Sequence, residues 1–115
     1  MPKSSTHLYE GMYILSATLS EDARKKALEK ITTSIEEHGG VVKKTFDQGR
    51  RKLAYEINKK REGYYFLIYF SLSSSKMPTL WREYQLNEDL IRFMTLQVEE
   101  VPEKIEFKTL AQEAV

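Results

Sequence analysis

Apolar and polar positions follow two different periods along this chain, and the period changes at glycines and serines. Tyr9 to Leu15, YEGMYIL, is aromatic and apolar, which predicts a first strand. Ala23, Ala27, Leu28, Ile31 and Ile35 then recur near 3.6 residues, with Arg24, Lys25, Lys26, Glu29, Lys30 and Glu36 between them. One apolar stripe on a charged helix marks a helix lying on a sheet. Ser20 suits the N-cap, with Glu21 and Asp22 in the first turn where the helix dipole favours acids. Thr18 with Glu21 offers a rival capping box. Gly39-Gly40 after His38 is a helix stop that admits positive φ.

Val41 to Ile57 is long for a strand, and Gly49 in its middle predicts a bulge or bend. A polar, mostly basic turn from Asn58 to Glu62 leads through Gly63 into Tyr64–Leu72, an aromatic strand, so the pair reads as a β-hairpin. Ser73-Ser74-Ser75 supplies N-cap candidates for a second helix, and Pro78 fits only its first turn. Met77, Leu80, Trp81 and Tyr84 form that helix's stripe. Asn87-Glu88-Asp89 ends it, and Leu90 to Val98 predicts a last strand. Residues 1–100 thus form one domain, and 101–115 read as a C-terminal tail, flexible when free.

The order β-α-β-β-α-β, with two singly striped helices, predicts an α+β fold. It is a ferredoxin-like sandwich, a four-stranded antiparallel sheet with both helices on one face. The first and third strands are then central and the opposite sheet face is uncovered. Along the third strand Tyr64, Phe66, Ile68 and Phe70 lie on one side, and Tyr65, Leu67 and Tyr69 on the other. The first set packs under the helices. The second forms an apolar, partly exposed surface of the kind that meets a partner.

Composition adds little until charge is mapped. The 115 residues carry a net charge of +1 and no cysteine, so disulfides and thiolate metal sites are excluded and a reducing, cytoplasmic setting fits. MPKSSTHLYEG has no apolar run of signal-peptide length. From Val41 to Arg61 there are eight Lys and Arg against two acids, and from Glu99 to Val115 five acids against two lysines. A basic centre on an aromatic platform suits a polyanion such as RNA, although solvated hairpins also carry lysines for edge protection.

Catalysis has little support. His7 and His38 read as surface histidines without a Cys or Asp constellation, and HExxH, GxSxG and glycine-rich phosphate loops are all missing. Neither cofactor nor metal is expected. The RNA recognition motif shares the element order, and Gly63, Tyr64, Phe66 and Tyr69 match its third-strand signature. Glu62 and Tyr65 break that signature, and it needs Tyr64 and Phe66 on the open face, opposite to the phase read here.

Gly49-Arg50-Arg51-Lys52-Leu53-Ala54-Tyr55-Glu56-Ile57, followed by Gly63-Tyr64-Tyr65-Phe66, resembles the hallmark segment of the bacterial small-subunit ribosomal protein six family. Tyr9-Glu10, Gly39 and Arg92-Phe93-Met94 are also similar to it, and the resemblance spans residues 8–98. It implies a non-enzymatic constituent of the 30S subunit that binds the central domain of 16S ribosomal RNA together with ribosomal protein eighteen. On that reading Arg50, Arg51, Lys52, Lys59, Lys60, Arg61 and Arg92 are the candidate phosphate contacts. Tyr55 on the second strand, Tyr65, Leu67 and Tyr69 on the open face, and Val101, Ile105 and Phe107 in the tail are candidates for the protein partner. The acidic tail is expected to order against that basic partner. A small-molecule regulatory or enzymatic domain dimerising through its open face is the alternative.

Overall fold

The computed structural model describes residues 6–57 and 60–103, with the side chains of 54–57, 60 and 61 left out of the description. Strands β1 (Thr6–Ser16), β2 (Val41–Ile57), β3 (Lys60–Ser73) and β4 (Leu90–Val98) form one antiparallel sheet in the order β2-β3-β1-β4. Helices α1 (Glu21–Glu37) and α2 (Met77–Gln85) fill the two crossovers. This is the expected ferredoxin-like sandwich, with β1 and β3 central.

Most of the expected punctuation is present. The Ser20 side chain accepts from the Ala23 amide at 3.1 Å, so it caps α1, while the Thr18 hydroxyl turns to Ser16 instead. Gly39, at φ +84°, follows the His38 C-cap. At the start of α2 the serines act differently. Ser74–Lys76 form a single 3₁₀ turn, Lys76 is the cap residue, and no serine hydroxyl caps α2. Trp81 also departs from the expected stripe and is 41% exposed. Helix α2 packs over β4, an edge strand, so Trp81 overhangs the sheet edge and its indole N–H donates to Thr95 Oγ1 at 3.2 Å. At the other end of the helix layer, His38 Nε2 meets Glu83 at 2.7 Å and ties the end of α1 to α2.

The core lies between the helices and one sheet face. Ala27, Ile31 and Ile35 of α1 and Met77, Leu80 and Tyr84 of α2 press on Tyr9, Tyr13, Leu15, Phe66, Ile68 and Phe70. The third strand therefore has the phase read from sequence, with Phe66 under the helices and unavailable for stacking on bases. Tyr13 and Tyr84 are buried and join hydroxyl to hydroxyl at 2.7 Å, with their rings edge to face at 5.2 Å. Burying two phenols costs little here because each satisfies the other. Tyr13 reaches this position by lying back over Gly11. A β-carbon at Gly11 would stand 2.4 Å from the Tyr13 hydroxyl oxygen and 2.6 Å from its ring.

Gly11→Ala should therefore displace the Tyr13 ring and break the phenol pair. The expected loss is about 1–3 kcal/mol, the usual cost of overpacking, read as a lower urea midpoint with an unchanged slope. An unaltered midpoint would mean that the ring has free space beside Gly11.

Candidate nucleic-acid interface

The strands differ in length, and that difference makes the site. Pairing of β1 with β3 stops at Ser16 opposite Gly63. The β2–β3 ladder continues past this point to Lys52 opposite Glu62 and, after a break in register, to Ile57 opposite Lys60. Residues 51–57 and 60–62 thus form a two-stranded arm beyond the four-stranded sheet. At its root β2 carries the expected bulge: Gly49 has φ +78°, the register shifts between Asp47 and Gly49, and Asp47 Oδ1 accepts from the Gly49 amide at 2.8 Å.

Strand alternation distributes the basic triplet over both sides of the arm. Arg50 lies opposite Tyr64 and Lys52 opposite Glu62, on the helix side. Arg51 lies opposite Gly63, on the open side, with its Nε donating to the Gln48 carbonyl at 3.0 Å. Arg92 is half-buried in β4 on that same open side, in the row formed with Ile14 and Tyr65. Arg50, Arg51 and Lys52 are all exposed. Arg50 is nevertheless not a free cation. Its Nε and one terminal nitrogen donate to the two oxygens of Glu62 at 3.2 and 3.1 Å. That bond, with the Glu62 charge behind it, raises the Arg50 pKa further. Lys59 lies outside the described residues, as do the side chains of Lys60 and Arg61.

One cation was not singled out from the sequence. Arg24, in the first turns of α1, lies with its guanidinium carbon 4.0 Å from the centre of the Tyr64 ring. It was hidden because its place over Tyr64 depends on how α1 crosses the sheet, which the helical period does not specify.

The open sheet face is less exposed than its sequence suggests. Across the four strands Met94, Met12, Leu67 and Phe46 lie side by side, with Leu96, Glu10, Tyr69 and Lys44 in the adjoining row. Leu67 is half-buried, but Tyr65 and Tyr69 are only 3% and 2% exposed, which corrects the expectation that they form an open aromatic surface. The Tyr69 ring stands edge-on to Phe46 and its hydroxyl donates to Glu10. Burial first, and then the Glu10 bond, push the Tyr69 phenol well above its ordinary pKa. The chain beyond β4 also returns over this face. Lys44 on β2, at the opposite edge of the sheet, donates from Nζ to the Glu103 carbonyl at 2.6 Å, and Val101 is half-buried on the way. The side chain of Tyr55 is outside the described residues, and so are Ile105 and Phe107.

Among the described residues no group of three His, Cys, Asp or Glu side chains could hold a metal ion, and no helix is long and apolar enough to cross a membrane. The fold and site define an α+β sandwich that presents a basic ribbon. The family model of ribosomal protein S6 matches residues 8–97. The small ribosomal subunit protein bS6 of Protochlamydia amoebophila is 61% identical over 113 residues, covering 98% of this chain and 99% of that protein. The bS6 protein of Chlamydia trachomatis serovar L2 is 57% identical, covering 97% and 100%. The crystal structure of 30S ribosomal protein S6 from Thermotoga maritima superposes with a TM-score of 0.77 at 33% identity, covering 82% of this chain and 89% of that one. The chain belongs to the ribosomal protein S6 family: it is a ribosomal protein of the small subunit and not an enzyme.

Glu10→Gln should lower the Tyr69 titration midpoint part of the way toward the ordinary phenol range, since burial remains. Tyrosine ring-carbon resonances followed against pH would show it. A midpoint that stays in place would remove Glu10 as a partner of the phenol.

Proposed function

We propose that this protein binds the central domain of 16S ribosomal RNA together with ribosomal protein eighteen, and that the β2–β3 arm is its RNA-binding element. The observation that carries the reading is the arm itself, a ribbon that projects past β1 and bears Arg50, Arg51 and Lys52 at its root. A projecting ribbon can follow a groove or a backbone that the flat sheet cannot enter, and clustered cations on it displace condensed counterions. Lys59, Lys60 and Arg61 continue the same charge toward the tip in the sequence. Arg92 adds a cation on the open side, on β4 at the opposite edge of the sheet from Arg51.

The protein partner is assigned to the open face. Leu67, Met12 and Met94 give it a half-buried apolar centre, and Leu96 at its edge is 52% exposed. Methionines adapt their shape to a partner at small cost. Tyr65 and Tyr69 support this surface from beneath, and Val101 borders it, with Tyr55, Ile105 and Phe107 as further contacts. The protein then works in the cytoplasm, as part of the ribosome. Small-molecule regulation has weaker support. The groove between α1 and α2, of about 550 Å³, is lined by charged side chains such as Lys26, Lys30, Glu37 and Glu83.

With about three phosphate contacts, log affinity for a central-domain RNA fragment should fall against log salt with a slope of roughly −2 to −3. Replacing Arg50, Arg51 and Lys52 together with alanine should flatten that slope while the thermal midpoint stays within a few degrees. Full assembly with an unchanged slope would return these cations to the role of a solvated rim.

A further inference from the structure

We propose that Arg24 and Arg50 form a two-arginine clamp for one RNA backbone phosphate at the root of the arm, and that Glu62 holds the phosphate's place until RNA arrives. The proposal rests on the RNA-binding reading above and adds a residue and a device to it.

Tyr64 is the centre of the clamp. Its ring carries the Arg24 guanidinium at 4.0 Å, and Arg50 lies directly opposite it on β2. Arg24 is held in place at both ends. Its backbone amide donates to the Ser20 carbonyl at 2.9 Å within the capped first turn of α1, and its side chain is half-buried against the ring. Stacking occupies the guanidinium face and leaves its edge, which carries the N–H donors, for an anion. Among the described residues Arg24 has no carboxylate within ion-pair distance. A fixed, ring-backed arginine without a counter-ion is arranged for an anion that comes from outside.

Arg50 has such an anion already, and its geometry is informative. Glu62 meets it fork to fork, through both oxygens. A backbone phosphate presents the same two-oxygen edge with the same single charge, so it can take the carboxylate's position without rearranging Arg50. The exchange is easy because both partners are about half exposed, 52% and 41% at the side chain, and an exposed pair is held weakly. Before exchange, Glu62 also lowers the charge of the root. Arg24, Arg50 and the opposing Lys52 against Glu62 leave a net attraction for RNA, yet less than three bare cations would give. The carboxylate thereby moderates non-specific capture of polyanions.

The test uses the full chain with ribosomal protein eighteen and a central-domain fragment of 16S RNA, titrated over a range of salt. Arg24→Ala should weaken binding at low salt and reduce the salt slope by about one. Arg24→Lys should keep most of the slope but lose part of the affinity, since an ammonium does not stack flat. Glu62→Gln should tighten low-salt binding by roughly two- to fivefold, the worth of an exposed ion pair. Arg24→Ala and Arg50→Ala combined should cost less than the product of the two single effects, because they share one phosphate. A thermal melt of each variant separates loss of fold from loss of contact. An unchanged slope in Arg24→Ala, or weaker binding by Glu62→Gln in a folded variant, overturns the clamp. If the Arg50, Arg51 and Lys52 triple variant still flattens the slope in that case, RNA binding by the arm stands and only the clamp falls. Binding of the unaltered protein without salt dependence would instead overturn the RNA reading itself.

Discussion

A two-stranded β-ribbon in water is only marginally stable by itself, and this protein extends one beyond the end of its sheet. The constraint that makes this workable is the position of β3. It is paired along its length by β1 on one side and by β2 on the other, and it is pinned from above by α1 and α2 through Phe66, Ile68 and Phe70. The arm is therefore the continuation of the most firmly held strand in the molecule. Side chains at its root add to the anchorage. Tyr64 is half-buried under Arg24 and packs against the core. Anchorage at the root holds Tyr64 and the Arg24 stacked on it in place, which favours the RNA-binding role proposed above.

The two faces of the sheet have separate work. The helix face is filled by a core that includes the buried Tyr13–Tyr84 hydroxyl pair. Such a pair gives that layer a single preferred arrangement, since sliding α2 against β1 would leave two phenols unsatisfied. The open face is flatter and softer. It has Met12 and Met94 at its centre, a buried tyrosine tied to Glu10, and the chain beyond β4 returning across it to Lys44. The partner binding proposed for that face would draw on flexible side chains, and the RNA binding proposed for the arm on preset charges.

Periodicity and punctuation revealed most of the fold. The stripe Ala27, Ile31 and Ile35, the cap at Ser20, the stop at Gly39 and the bulge at Gly49 are all local signals, and each is present in the structure. Signals that depend on tertiary position were misread. Trp81 fits the helical stripe, but α2 lies over an edge strand and the indole overhangs it. Tyr65 and Tyr69 alternate onto the open face as expected, but alternation gives a direction and not an exposure. Phe46 and Glu10 close over Tyr69 from neighbouring strands. At the site, the basic triplet was legible as charge, while its division between two sides of the arm and the Arg50–Glu62 pair came only with the register. Arg24 looked like one more solvated cation on a helix.

The central claim is that the arm, with the Arg24 end of α1 at its root, and not the rest of the helix layer, faces RNA. The chain contains no cysteine, so a single one can be placed at will. An iron chelate that generates hydroxyl radicals, tethered through Lys52→Cys on the arm or through Lys30→Cys on α1, would map the RNA near each position in assembled small-subunit particles. The account expects strong cleavage within the central domain of 16S RNA from the arm position and little from the helix position. Equal cleavage from both, or cleavage from the helix alone, would contradict it.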